Sequence, residues 1–362
     1  MVNFRLYESK IRKSLLSLKR ESYVEEETPG SDLLDCSLGQ NPFGFPRGIL
    51  ESLTLERINM GDYPDPYYHR LRKAIVERWG NLFEENDVFI GSGSMGCLEK
   101  INKALLKEGS LVLGYSPQFT EYVTEVKVCG GVYESVALKA EDGFEFRFEE
   151  LMDRLSEKHT VLYIDNPNNP TGQVIPLEAI KLLTDKAFKL GVVVVVDEAY
   201  GDFMEDNNSA INLNYPNLIV VRSFSKGFGL AGLRVGYAVV RGRELRELYS
   251  KVNLPFEISS FSEEIAIRAL KDLSFLEQSK ARVREIKKKI LEFLYDKGYS
   301  FSKTALEVPI FLLWKDGEDL YSFLKERGIL SVSGRNFASL SSSFVRIRVP
   351  PSFQDFVAKF WS

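Results

Sequence analysis

Lys226 stands in the run Ser223-Phe224-Ser225-Lys226-Gly227-Phe228-Gly229-Leu230-Ala231-Gly232-Leu233-Arg234, directly after the apolar stretch Leu218–Val221. An amine set among small residues, two hydroxyls and a downstream arginine suits Schiff-base formation with an aldehyde. Ser223 and Arg234 are spaced to hold a phosphate carried by the same ligand. The chain has only two histidines, His69 behind an aromatic cluster and His159 in a charged stretch, and both read as structural or solvated. Acid–base chemistry must then come from another group, and a lysine fills that gap.

Four further constellations accompany the lysine. Asp197-Glu198-Ala199-Tyr200 ends a run of five valines, Val192 to Val196. An acid at the end of a buried strand is costly unless it meets a partner, and a protonated ring nitrogen is such a partner. Tyr200 is placed to donate to an oxygen of the same ring. The rival reading is a Mg²⁺ site built from Asp197, Glu198 and Asp202, which lacks an accompanying P-loop or second acidic cluster. Asp165-Asn166-Pro167-Asn168-Asn169-Pro170-Thr171-Gly172 forms a rigid loop after an apolar strand, at the end where open α/β sheets bind ligands. Gly91-Ser92-Gly93-Ser94-Met95-Gly96 links a strand to a helix and offers free amides to a phosphate. A dinucleotide reading of that glycine loop needs an acid at the end of the next strand, and Leu113-Gly114-Tyr115-Ser116 has none. Finally, Phe344-Val345-Arg346-Ile347-Arg348-Val349 puts two arginines on one face of a strand, where one can clamp a carboxylate.

The elements that must position these groups are legible as an alternation. Strand-like runs at Val88–Ile90, Ser110–Leu113, Val161–Ile164, Val192–Val196, Leu218–Val221 and Val235–Val240 are separated by helical patterns. Continuous β-branched runs fit strands covered on both faces, so an α/β unit with a mainly parallel sheet is expected. From about residue 241 the texture becomes α+β. A long charged helix is predicted near Leu276–Tyr295, a shorter one near Leu320–Arg327, and strands at Val308–Leu313, Ile329–Val332 and Phe344–Val349. Residues 1–20 carry Ile11, Leu15, Leu16 and Leu18 at helical spacing, and residues 21–60 read as irregular. The expected division is an N-terminal segment 1–45 joining the smaller unit, a large domain 46–245 and a small domain 246–362. A net charge of −4 gives no global attraction to nucleic acid or an anionic membrane. Cys36, Cys97 and Cys129 are too scattered for a disulfide framework or a zinc site, and the N-terminal residues lack a secretory pattern, so a cytoplasmic protein is expected.

Taken in order, Asn-Pro-x-Asn-Pro-Thr-Gly, Asp-x-Ala-Tyr and Ser-x-Ser-Lys-x-x-Gly-x-x-Gly-x-Arg resemble the fold type I enzymes that use pyridoxal 5'-phosphate (PLP), the aspartate aminotransferase superfamily. The resemblance runs from about Leu38 to Val349. Asn41-Pro42-Phe43-Gly44 and Tyr63-Pro64-Asp65-Pro66 are similar to the branch holding histidinol-phosphate aminotransferases and threonine-phosphate decarboxylases. The resemblance implies a seven-stranded large domain and a homodimer exchanging an amino group between an amino acid, or a histidinol-phosphate-like amine, and a 2-oxo acid. It also implies roles. Lys226 carries the cofactor and shuttles the proton, Asp197 pairs with the ring nitrogen, and Asn169 and Tyr200 bond the phenolic oxygen. Phe119 stacks on the ring. Gly93, Ser94, Ser223 and Arg234, with Tyr63 from a neighbouring subunit, hold the phosphate. Arg346 takes the substrate carboxylate near Gln40 and Asn41, with Arg348 and Arg335 as alternatives. Met95 and Gly96 stand where that branch usually has an acidic pair, and Gln40 where an acid is commoner, which leaves the substrate side chain open. Decarboxylation of a phosphorylated amino acid is the alternative outcome, and oxidation of a cationic amino acid a further variant.

Overall fold

The computed structural model describes residues 8–16, 18, 22, 32–51 and 61–361. Its strands in chain order are β1 Leu34–Asp35, β2 Val88–Ser92, β3 Leu111–Ser116, β4 Val132–Ala137, β5 His159–Asp165, β6 Val193–Glu198, β7 Leu218–Ser223, β8 Val235–Val240, β9 Ser300–Phe301, β10 Ile310–Trp314, β11 Ile329–Leu330, β12 Val332–Ser333 and β13 Phe344–Arg348. Seven of them form one sheet in the order β2-β8-β7-β6-β5-β3-β4. The β3–β4, β3–β5, β5–β6 and β6–β7 pairs are parallel, and only β8 runs against its two neighbours. The α/β class with a mainly parallel seven-stranded sheet is therefore correct.

The valine run shows why the sheet is covered on both faces. Side chains alternate across a strand. Val194 and Val196 enter one apolar cluster with Leu162 and Ile164, while Val195 enters another with Val161 and Tyr163. The sequence reading missed β4, whose residues Tyr133, Glu134 and Ser135 break any apolar run because it lies at the sheet edge. Where the reading stopped at the last apolar residue, β3, β5, β6 and β7 continue to Ser116, Asp165, Glu198 and Ser223. That extra turn of the pleat carries the polar side chains to the carboxyl edge.

A second sheet, β12-β13-β10-β9, is antiparallel throughout. The helices Ser274–Asp296 and Leu320–Glu326 fall where the periodicity puts them. The chain's early segment packs here, because β1 pairs with β11, Leu34 opposite Ile329. Of the expected helix over residues 1–20, residues 1–7, 17, 19 and 20 lie outside the described residues. Its described residues hold a 3₁₀ turn, Glu8–Lys10, and a single helical turn, Lys13–Leu16, tied down by Ser14 Oγ donating to the Val128 carbonyl at 3.0 Å. Among the described residues no helix is long and apolar enough to cross a membrane.

Lys287 locks the long helix to this second sheet. It is fully buried, and its Nζ lies 2.6 Å from Thr304 Oγ1, 2.7 Å from the Ala305 and Val308 carbonyls and 2.9 Å from the Ile310 carbonyl. Burial pushes the amine's pKa well down, and the four oxygens oppose that by favouring the ammonium. Lys287→Met would fill the volume but take the donor from the Val308 carbonyl, while those of Ala305 and Ile310 keep the Val308 amide and Thr304 Oγ1, so a loss of about 1–3 kcal/mol in denaturant-measured stability is expected. A loss below about 1 kcal/mol would show that the Val308 carbonyl finds another partner.

Candidate active site

The carboxyl ends of β5, β6 and β7 bring together what the sequence scattered. Ser94, Phe119, Asn169, Asp197, Tyr200, Ser223, Lys226 and Arg234 line a single cavity of about 160 Å³. Ser94 arrives at the first turn of the helix Gly93–Leu105, and Phe119 just before the helix Thr120–Val128. Gly93 has φ +73°, and a Cβ there would lie 2.5 Å from Arg234 Nη2. Only glycine lets that turn and the guanidinium approach so closely. Arg234 Nη1 also donates to the Ala231 carbonyl at 3.0 Å and Ser225 Oγ at 3.3 Å. The result is a cluster of a guanidinium and serine hydroxyls at a helix N-terminus, a donor set suited to a phosphate.

Asp197 is 3% exposed. Its Oδ2 accepts from the Tyr163 hydroxyl at 2.9 Å and its Oδ1 from the Ala199 amide at 3.0 Å. Burial first, then the nearby Asp165 charge, raise its pKa to about 7. Lys226, partly exposed, has its Nζ 5.4 Å from the centre of the Tyr200 ring. Burial, then the positive charges of Arg346 and Arg234, lower its pKa to about 7. An amine that is about half neutral near pH 7 is a competent nucleophile, and a buried carboxyl of high proton affinity is a fitting partner for a cationic ring nitrogen. Glu198 and Asp202 turn the other way, to Arg222, at 2.7 and 2.6 Å. The three acids of the Mg²⁺ reading thus do not converge.

Arg346 is buried and donates from Nη1 to Asn169 Oδ1 at 2.9 Å and from Nη2 to the Ser37 carbonyl. Arg348 Nη2 binds the Asp35 carbonyl and lies 3.7 Å from its carboxylate, while Arg335 donates to Ser342 Oγ at 3.2 Å. Of the three arginines, the hydrogen bond to Asn169 joins Arg346 to the cavity wall. Asn41 departs from expectation. Its Nδ2 donates to the Gly227 carbonyl at 2.9 Å and Ser279 Oγ at 3.1 Å, and its Oδ1 accepts from the Phe43 amide. With both amide hydrogens engaged, Asn41 ties the early segment to the lysine loop and is not a donor aimed at substrate. Tyr63 lies outside the cavity, 82% exposed, its ring 4.7 Å from that of Phe256.

Three participants escaped the sequence reading. A Cβ on Gly39 would fall 1.8 Å from Tyr200 Oη and 3.4 Å from Lys226 Nζ, a close approach that nothing in Leu38-Gly39-Gln40 announces. Tyr163 looked like one more apolar strand residue. Asp165 satisfied the same argument as Asp197, an acid closing a buried strand, and that signal was available.

The acid, amine and phosphate-suited donors fit PLP, with a carboxyl for the ring nitrogen, an amine for the aldehyde and a cationic cradle for the phosphate. Such groups at the carboxyl edge of an open, mainly parallel sheet define a PLP-dependent enzyme. The chain belongs to the aminotransferase class I and II family, whose family model matches residues 32–355. It is an aminotransferase. It is 30% identical to a histidinol-phosphate aminotransferase of Thermoanaerobacter pseudethanolicus, covering 90% of each chain. It is also 30% identical to a putative threonine-phosphate decarboxylase of Caldanaerobacter subterraneus subsp. tengcongensis, covering 85% of this chain and 84% of that one. The histidinol-phosphate aminotransferase of Sinorhizobium meliloti, solved in complex with pyridoxal-5'-phosphate, shares the fold with a TM-score of 0.81 at 21% identity, over 97% of this chain and 96% of that one.

The lowered pKa of Lys226 is open to direct measurement. In cofactor-free protein, reductive methylation of Lys226 should follow the neutral amine and reach half its maximal rate near pH 7, whereas surface lysines need pH near 10. Labelling of Lys226 with a midpoint near 10 would remove the electrostatic argument for its reactivity.

Proposed function

We propose that the chain moves an amino group between a 2-oxo acid and an amino acid or an amine phosphate like the histidinol phosphate for which its relatives are named. The observation that carries this reading is one cavity shared by Lys226, Asp197, Asn169 and Arg234, with Arg346 hydrogen-bonded to Asn169. When bound, PLP supplies an aldehyde that condenses with an amine and a ring that draws an electron pair from the substrate's Cα. Arg234, Ser94, Ser223 and the Gly93 turn hold its phosphate, Phe119 covers the ring, and Asn169 and Tyr200 bond its phenolic oxygen. Asp197 keeps the ring nitrogen protonated. Arg346 would orient the substrate by its α-carboxylate, and Lys226 Nζ would take the Cα proton and return it two atoms further along, across the nitrogen. Exposed Tyr63 reaches the cofactor phosphate of a second copy in a homodimer. Residues 46–245 form the cofactor domain, 246–362 the small domain with 1–45 against it, and the enzyme works in the cytoplasm.

The second reading, decarboxylation of a phosphorylated amino acid, is favoured by the relative named as a putative threonine-phosphate decarboxylase. The two differ in which bond at Cα is aligned with the ring electrons. Incubating purified enzyme with amino acids and phosphorylated amines, then weighing the product, separates a gained oxo group from lost CO₂.

Two substitutions test the roles. Asp197→Asn should bind substrate with a Michaelis constant within a few-fold of the parent while kcat falls by about 10²–10⁴-fold, because only proton abstraction needs the protonated ring. A parental kcat would end that assignment. Arg346→Ala should raise the Michaelis constant of α-carboxylate substrates by about 10²-fold through the lost bidentate pair. A parental Michaelis constant would move the clamp to Arg348 or Arg335.

A further inference from the structure

Asp165 and Asp197 are register partners on the parallel strands β5 and β6, so their side chains leave the same face of the sheet side by side. Each is 3% exposed and both line the cavity. Asp165 is the more heavily bound. Its Oδ1 accepts from the Tyr115 hydroxyl and Gln118 Nε2, each at 2.8 Å, and from Asn168 Nδ2 at 3.1 Å. Its Oδ2 accepts from the Asn169 amide at 2.9 Å. The carboxylate therefore pins the backbone of the residue whose side chain holds Arg346.

We propose that Asp165 is a positioning residue of this site, fixing the Asn168–Asn169 turn and setting a second buried negative charge beside Asp197. Its catalytic consequence rests on the reading that Asp197 faces the cofactor's ring nitrogen. A neighbouring carboxylate strengthens the hold of Asp197 on any proton or cation placed against it. Burial raises the pKa of Asp165 as well, but its four donors favour the charged form, so Asp165 is the acid of the pair that ionises first and Asp197 the one that takes the proton.

The groups around the pair are few. Tyr115, Tyr122, Tyr133 and Tyr163 stay neutral, because burial raises their pKa values. Cys97 is pushed up to about 12 by burial. Glu198 is ion-paired with Arg222. Arg346 and Arg234 are the guanidiniums that act on Lys226 beside the pair. Lys226 titrates near 7, inside the window of interest, so the test is made in the full-length Lys226→Ala apoprotein.

The sign of the effect is fixed by the raised carboxyl. Between about pH 4 and 7 the folded protein keeps a proton on Asp197 that the unfolded chain has released, so stability is lost as pH rises through that window. At pH 8.5 both acids are ionised and repel. Thermal midpoints of Asp165→Asn, Asp197→Asn and the double variant should then be non-additive by about 3 °C, the double gaining less than the sum of the singles. At pH 5 they should add to within about 1 °C. Equal coupling at both pH values, or none at either, overturns the proposal. If Asp165→Asn does not fold, infrared titration of the same apoprotein with Asp165 intact decides. A buried carboxylic-acid C=O band should vanish as pH rises through about 7 and be absent from Asp197→Asn, and a midpoint near the ordinary aspartate value overturns the pairing. Neither readout needs the cofactor. Failure of the ring-nitrogen reading is seen separately, as an undiminished kcat in Asp197→Asn.

Discussion

A carboxyl and an amine, both expensive to remove from water, share one small cavity at the carboxyl edge of the large sheet. Asp197 accepts hydrogen bonds from a phenol and a backbone amide, and Lys226 has cationic neighbours that press its proton off. The fold spends stability to hold two groups poised near neutrality, and the ligand that each is shaped to meet returns it. Everything else in the structure serves that constraint. The valine strands bury the base of the acid, the rigid Asn-Pro loop closes one wall, and Arg222 removes Glu198 and Asp202 from the competition by pairing with both.

One chain of contacts crosses between the two sheets at the cavity. Asp165 holds the Asn169 amide, Asn169 Oδ1 accepts from Arg346, and Arg346 Nη2 donates to the Ser37 carbonyl. The groups suited to a cofactor and the arginine suited to a substrate are thus mechanically joined, although they come from different sheets. The early segment joins the same chain at three points. Arg348 binds the Asp35 carbonyl, Asn41 binds the lysine loop, and Gly39 lies against Tyr200. A stretch that reads as irregular in sequence is a strap whose carbonyls accept from two buried guanidiniums.

Much of this was visible in the chain itself. Hydrophobic runs located six of the seven large-sheet strands, because a strand covered on both faces must be apolar along its whole length. The motifs singled out Lys226, Asp197, Asn169, Tyr200 and Arg234, which the structure brings to one cavity, because residue types beside turn-forming neighbours are a local signal. Edge strand β4 was invisible, since a half-solvated strand carries Glu134 and Ser135 and loses the signal. The early helix was over-read from spacing alone, as short amphipathic patterns do not ensure a helix.

What the sequence by itself determined is the alternation of elements and the candidate groups that the structure gathers in one cavity, both of which rest on local properties of periodicity and residue type. Only the tertiary structure decided which arginine meets Asn169, that Asn41 spends its amide on the lysine loop, and that Asp165 lies beside Asp197. Those facts depend on strand register and on side-chain direction between elements far apart in the chain. A one-residue slip would turn Asp165 to the opposite face of the sheet, and no local pattern records it.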